Sequence, residues 1–149
     1  PAAISLPGRT NLAPGYICFD PPDGEKPISA VDTQLLDGTA EILDSFRKTK
    51  KNCEEILDYD TIREPLLLRT WQAGDRFWPL GAAGDKTLGD FFTDVKIPAA
   101  LRRRIPLLCD QTGILWVLGL RIAHRARITP QTTRILRLTS LQSGEPAGM

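Results

Sequence analysis

A chain of 149 residues with 42% hydrophobic and 25% charged side chains has the composition of a globular domain, which argues against wholesale disorder and against collagen-like repeats. The longest apolar stretch, Ile114 to Leu120, is far too short to span a bilayer, and no basic start precedes an apolar run, so neither a membrane span nor a signal peptide is expected. The net charge of +1 conceals an asymmetry: residues 1–60 hold 6 Lys/Arg against 11 Asp/Glu, residues 61–149 hold 13 against 7, and 11 of those 13 cations are arginine.

In chain order, Ile4-Ser5-Leu6 predicts a short strand running into a turn at Pro7-Gly8. Tyr16-Ile17-Cys18-Phe19 predicts a second strand, broken by Pro21-Pro22-Asp23-Gly24. Residues 27–38 fit a further strand ending at Asp37-Gly38. Thr39 to Glu55 reads as a helix capped by Thr39, with Ile42, Leu43, Phe46 and Cys53 on one stripe. The cluster Arg47-Lys48-Thr49-Lys50-Lys51 falls in its later half, where cations suit the helix dipole; the same cluster also fits a charged loop. Beyond Pro65, Leu66 to Trp71 predicts a strand and Gly74-Asp75 a turn. Thr87 to Asp94 predicts a short helix with Leu88, Phe91 and Phe92 at helical spacing, Thr87 as cap and Asp90 three residues on. A helical turn, Ala99 to Arg104, is expected after Pro98. Pro106 to Cys109, Asp110-Gln111-Thr112-Gly113 and Ile114 to Val117 give a hairpin signal. Ile122, Arg127-Ile128-Thr129 and Thr133 to Leu138 continue as strand-like segments, and Gln142 to Met149 reads as a frayed tail. Short strands with two small helical insertions predict an α+β, mainly antiparallel β architecture.

No catalytic constellation is visible. Cys18, Cys53 and Cys109 are odd in number and scattered, with no CxxC pattern, so three free packing thiols in a reducing cytosol are expected and a zinc site is not. His124 is the sole histidine, set between Arg121 and Arg125, and lacks the orienting partner that a base for a Ser or Cys nucleophile needs. It reads as a structural or RNA-contacting residue. Asp75, Asp85, Asp90 and Asp94 match no metal-loop spacing, and pairing with Arg76, Lys86 and Lys96 explains them better, Asp75 with Arg76 being the nearest pair. There is no phosphate-cradling glycine loop, so no ATP binding is expected from this chain. Trp71 and Trp116 sit in apolar strands as core residues, whereas Trp78, beside Arg76 and Pro79, falls in a loop. The arginine excess of the second part suits phosphate oxygens, with nucleic acid as the foremost partner and an ordinary solvated face as the competing reading. Arg102-Arg103-Arg104 would spread over roughly 200° of a helix, so the three cannot all face one phosphate chain.

One ordered set of residues carries a resemblance. It comprises Pro65 to Gly81 (PLLLRTWQAGDRFWPLG), Gly84 to Pro98 (GDKTLGDFFTDVKIP), Arg102, Arg104, Pro106-Leu107-Leu108, Ile114 to Ile122 (ILWVLGLRI) and Arg127-Ile128-Thr129. Over residues 56–138 the set resembles the C-terminal domain of tRNA(Ile)-lysidine synthase, and residues 4–20, through Leu6-Pro7-Gly8, resemble the stretch preceding it. The resemblance implies a layered, β-sandwich-like architecture related to a domain of the phenylalanyl-tRNA synthetase β subunit. It divides the chain into a preceding segment (1–55), the tRNA-recognition domain (56–140) and a tail (141–149).

It implies a cytoplasmic parent enzyme, an ATP-dependent ligase that adds lysine to C2 of the wobble cytidine of tRNA(Ile) to form lysidine. ATP, Mg²⁺ and lysine would belong to that enzyme's N-terminal adenylating domain, whose Ser-Gly-Gly-x-Asp-Ser loop is not in this sequence. The chain, which starts at Pro1 rather than Met, then reads as a fragment inactive alone, with no catalytic or metal-binding residues. Its partners would be the acceptor-stem side of tRNA(Ile) and the catalytic domain of its own parent. The residues expected at the tRNA backbone are Arg76, Lys86, Lys96, Arg102, Arg104, Arg121 and Arg125. Ala99 departs from the family, which often carries Arg there, and Arg103 is the replacement at hand. The alternative is a protein-interaction domain on the same scaffold without RNA binding.

Overall fold

A computed structural model describes residues 1–19, 24–51 and 53–142. The elements run β1 (Ala2–Ala3), β2 (Gly8–Asn11), β3 (Ile17–Phe19), β4 (Glu25–Asp37), α1 (Ala40–Thr49), β5 (Glu54–Asp58), β6 (Leu67–Arg69), β7 (Arg76–Phe77), β8 (Lys86–Thr87), α2 (Leu88–Asp94), β9 (Leu107–Cys109), β10 (Ile114–Val117), β11 (Arg121–Ile122) and β12 (Arg134–Gln142). Short 3₁₀ turns occupy Tyr59–Thr61, Ala99–Arg104 and His124–Ala126.

Two antiparallel sheets dominate. One has the order β1-β6-β9-β10-β11, the other β2-β4-β12-β5, with β3 also pairing with β4. The side chains sort into three apolar clusters because strand residues alternate between faces. Leu136 and Leu138 of β12, Leu57 of β5, Leu68 of β6, Leu108 of β9 and Trp116 of β10 meet between the sheets. Leu107 and Cys109 point the other way, onto Phe91, Phe92 and Leu88 of α2. Ile135 and Ile56 face outward from the second sheet and are covered by Phe46 of α1. The molecule is therefore layered: α1, sheet, sheet, α2. In β10 the register shifts between Ile114 and Trp116, and the irregularity turns both Leu115 and Trp116 into the inter-sheet core.

The preceding segment and the later residues share this scaffold: β1 pairs with β6, and β12 lies between β4 and β5. The hairpin β9–β10, the strand ending at Asp37 and the helix capped by Thr87 are where the sequence places them. Several expectations need correction. The helix expected to Glu55 stops at Thr49. Ile56 and Leu57 are adjacent apolar residues that must reach opposite layers, which an extended chain allows and one face of a helix does not. Ile4 to Leu6 forms no strand: β1 ends at Ala3, the buried Ile4 adds one bond from its N–H to the Leu66 carbonyl at 3.0 Å, and pairing resumes at Gly8. Arg127 to Thr129 is not a strand. Pro21 to Asp23 and residues 143–149 lie outside the described residues.

The three free thiols are a further correction. Cys18 of β3 and Cys53, just before β5, form a disulfide with Cα atoms 6.4 Å apart. Their separation of 35 residues disguises the pairing in the sequence. Cys109 alone is free, and burial pushes its thiol up to about 11. Gly119 sits against this bridge at φ +76°, where an added Cβ would come within 2.8 Å of Cys18 Sγ and 2.7 Å of the Phe19 carbonyl oxygen. Only glycine satisfies both the left-handed backbone and the contact.

Candidate nucleic-acid interface

Helix α2 forms because Thr87 Oγ1 accepts the Asp90 N–H at 3.1 Å while Leu88, Phe91 and Phe92 bury one face. It ends where Lys96 turns to φ +61°, and the Ile97 N–H closes back onto the Phe92 carbonyl at 2.9 Å. This exit holds Lys96 out in solvent. Pro98 then starts the 3₁₀ turn that carries the arginine triplet.

The three arginines diverge, as their spacing requires. Arg102 folds back, its Nε donating to the Ile97 carbonyl at 2.9 Å with the guanidinium 5.8 Å from the Phe92 ring. Arg103 lies 5.3 Å over Trp71. Arg104 Nε donates to the Gly15 carbonyl at 3.2 Å. Arg103 and Arg104 line a cleft of about 340 Å³ with Tyr16 and Thr70. Trp71, expected in the core, is half-buried and packs edge-on against Phe92, whereas Trp116 is 2% exposed, as expected.

The seven residues expected at a tRNA backbone divide into two groups. Arg76, Lys86 and Arg125 each hold a carboxylate: Arg76 Nε on Asp85 at 2.6 Å, Lys86 Nζ on Asp94 at 2.6 Å, and Arg125 Nη2 on Asp110 at 2.7 Å. Among the described residues, Lys96, Arg102, Arg104 and Arg121 hold none. Arg121 Nη1 donates to the Leu80 carbonyl at 3.3 Å, with its guanidinium 5.6 Å from Phe91. The expected pairing of Asp75 with Arg76 is replaced by a two-pronged bond from Arg69, at 2.9 and 3.0 Å.

Of these three cations, Arg125 holds the most buried carboxylate. Asp110 is a buried carboxylate that also accepts the N–H groups of Arg63, Thr112 and Gly113. Burial by itself would raise its pKa, but the Arg125 guanidinium and the backbone donors outweigh that and hold it below the ordinary carboxylate range.

Two neighbouring features were not separable from the sequence. Trp78 is 41% exposed, the one large apolar side chain so exposed among the described residues, and stacks on His124 with ring centres 4.0 Å apart and planes 10° from parallel. Arg127, which the sequence suggests lies in a strand, instead donates from Nη1 to the His124 carbonyl at 2.9 Å and has no carboxylate partner among the described residues. Arg103 and Arg127 thus join the cations without a carboxylate; the sequence offers Arg103 only as a replacement at Ala99. Among the described residues no group of three or more His, Cys, Asp or Glu side chains is placed to hold a metal ion, and no helix is long and apolar enough to cross a membrane.

Comparison with known proteins gives a consistent answer. Residues 66–139 match the family described as the TilS substrate C-terminal domain. A tRNA(Ile)-lysidine synthase from Parabacteroides distasonis is 40% identical over 114 residues, covering 76% of this chain and 26% of that protein. One from Geobacter sulfurreducens is 46% identical over 76 residues, covering 51% of this chain and 16% of that protein. The chain therefore spans about a quarter or less of the length of these curated relatives. A crystal structure of a TILS C-terminal domain superposes with a TM-score of 0.63 at 25% identity, covering 92% of this chain and 98% of that one. An N-terminal fragment of the phenylalanyl-tRNA synthetase β subunit from Pyrococcus horikoshii shares the fold, with a TM-score of 0.60 at 18% identity, over 76% of this chain and 40% of that one.

Proposed function

Because this chain belongs, through residues 66–139, to the TilS substrate C-terminal domain family, we propose that it is the part of a cytoplasmic tRNA(Ile)-lysidine synthase that docks the tRNA. On this reading the ATP-dependent transfer of lysine to the wobble cytidine, with its Mg²⁺ and nucleotide, is the work of a separate N-terminal domain. This chain grips the acceptor-stem side of the same tRNA(Ile). It contributes affinity and orientation, and no group of its own touches the reacting atoms.

One observation supports this reading above the rest. Lys96, Arg102, Arg103 and Arg104 cluster around the exit of α2 and the turn after it, and among the described residues none of them meets a carboxylate. Arg102 and Arg104 are instead fixed by backbone carbonyls, and Arg102 and Arg103 by aromatic faces, which position a guanidinium without neutralising it. Positioned, uncompensated charge is what a phosphate backbone selects. Arg121 extends the set, while the exposed Arg76 and the half-buried Lys86 are already paired and would have to exchange Asp85 and Asp94 for phosphate. Arg125 serves the fold through Asp110. A-form RNA is read mostly through its shape, phosphates and 2′-hydroxyls, so the grip should be modest in sequence preference.

Fluorescence anisotropy with an acceptor-stem duplex at about 50 and 200 mM salt tests the proposal. Four phosphate contacts give a log–log slope of about −3.6, using the B-DNA coefficient. An absence of binding at low salt, or a flat slope, would refute phosphate docking by this chain and favour a protein partner for the scaffold.

A further inference from the structure

The Trp78–His124 stack is assembled with more care than an exposed ring needs. Its two halves are zipped together by the backbone: the His124 N–H donates to the Trp78 carbonyl at 2.7 Å, the Leu80 N–H to the Ile122 carbonyl at 3.0 Å, and Pro79 bridges Ala123 between them. The indole N–H is tied to the Ala82 carbonyl at 2.8 Å. With one face on His124 and the N–H engaged, the exposed 41% of the residue leaves its remaining ring surface as a fixed apolar platform. Two guanidiniums flank this platform: Arg121 on the Leu80 carbonyl and Arg127 on the His124 carbonyl, neither with a carboxylate among the described residues. A cleft of about 260 Å³ opens beside Trp78, bordered by Thr112, Gly113 and Ala123 and by the Arg76–Asp85 pair and Arg125.

A flat, pre-ordered aromatic surface beside uncompensated cations has the chemistry of a base-stacking site. A base inside a duplex is stacked on both faces already, so a free face is offered at the end of a stem, above all by an unpaired base. We infer that the Trp78–His124 stack seats an unpaired nucleobase at the single-stranded end of the docked stem, with Arg121 and Arg127 on the adjoining phosphates. This rests on the tRNA-docking reading and adds to it a specific base contact. The indole is pinned before binding, so little side-chain freedom is lost when a base arrives.

The test compares one acceptor-stem duplex with blunt ends and the same duplex with a short single-stranded 3′ extension. For the wild-type chain the extension should tighten binding roughly ten-fold, from stacking on one aromatic residue. Trp78→Ala should abolish that gain and leave the blunt-duplex affinity unchanged, and Trp78→Phe should retain part of it. Tryptophan fluorescence of the wild-type chain gives a readout that needs no variant: the extended RNA should quench it more than the blunt one. Equal affinity and equal quenching for the two RNAs, or a full gain retained in Trp78→Ala, would overturn the inference while docking stands. Failure of both RNAs to bind would overturn the docking reading, and the inference with it.

Discussion

Replacing Asp110 by Ala should be among the costliest single changes in this molecule. The carboxylate accepts the N–H groups of Arg63 at 2.9 Å, Thr112 at 2.8 Å and Gly113 at 3.1 Å, and two bonds from Arg125 at 2.7 and 3.2 Å. A hydrogen bond to a charged group contributes about 1.5–3 kcal/mol, but bonds sharing one acceptor do not add. Arg125 keeps 32% of its side chain in solvent, so its stranded charge is partly rehydrated. Removing one partner of a buried pair then costs about 3–5 kcal/mol, or on the order of 10 °C in Tm for a domain of this size.

Arg125→Ala should cost less, about 1–3 kcal/mol, because three backbone donors still solvate the carboxylate. Urea unfolding of both variants measures the difference. A loss below about 1 kcal/mol for Asp110→Ala, or a larger loss for Arg125→Ala, would refute the network as described. The pH dependence has a definite sign. The folded pKa of Asp110 is depressed, so its contribution is complete above the ordinary carboxylate value near 4 and disappears as the pH falls through the lowered folded value. The gap between wild type and Asp110→Ala should therefore narrow on acidification below about pH 4; a gap that widens there would contradict the assignment.

Three further outcomes are expected. Arg102→Ala with Arg104→Ala should weaken acceptor-stem binding and flatten the salt slope by about 1.8, whereas Arg125→Ala should leave the slope unchanged; anisotropy titrations separate the two. Trp116→Ala, at a residue 2% exposed between the sheets, should cost about 3–5 kcal/mol in urea unfolding, and a near-zero loss would place the ring elsewhere. Reducing the Cys18–Cys53 bridge, which closes a loop of 35 residues, should cost about 3–4 kcal/mol on the chain-entropy model; an unchanged melting midpoint in reductant would mean that the bridge contributes nothing.

Local signals carried much of the fold. Thr87 and Asp90 announced α2, and Asp110 to Gly113 announced the β9–β10 turn, because each depends on neighbours a few residues away. What stayed hidden is non-local. Cys53 fits a helical stripe with Phe46 until β5 is seen to lie beside β12. The Asp110–Arg125 pair spans 15 residues and a change of strand, so Arg125 looked like any loop cation. The same limit applies at the interface. A sequence lists cations but does not say which find carboxylates: Arg76 and Arg121 look alike, yet one holds Asp85 and the other only a carbonyl. Arg127 had no signal, since a strand-like tripeptide gives no hint that its side chain caps the carbonyl of His124.

The placement of β12 between β4 and β5 also bears on how the chain matures on a ribosome. Translation delivers β4 and β5 long before residues 134–142 emerge, and until then the two have no shared neighbour to bridge them. Their facing edges stay open while residues 59–133 are made, an interval in which unpaired strands invite association between nascent chains. Closure of this sheet must be among the last events of folding, and with so many contacts distant in sequence it should be slow for a domain of this length.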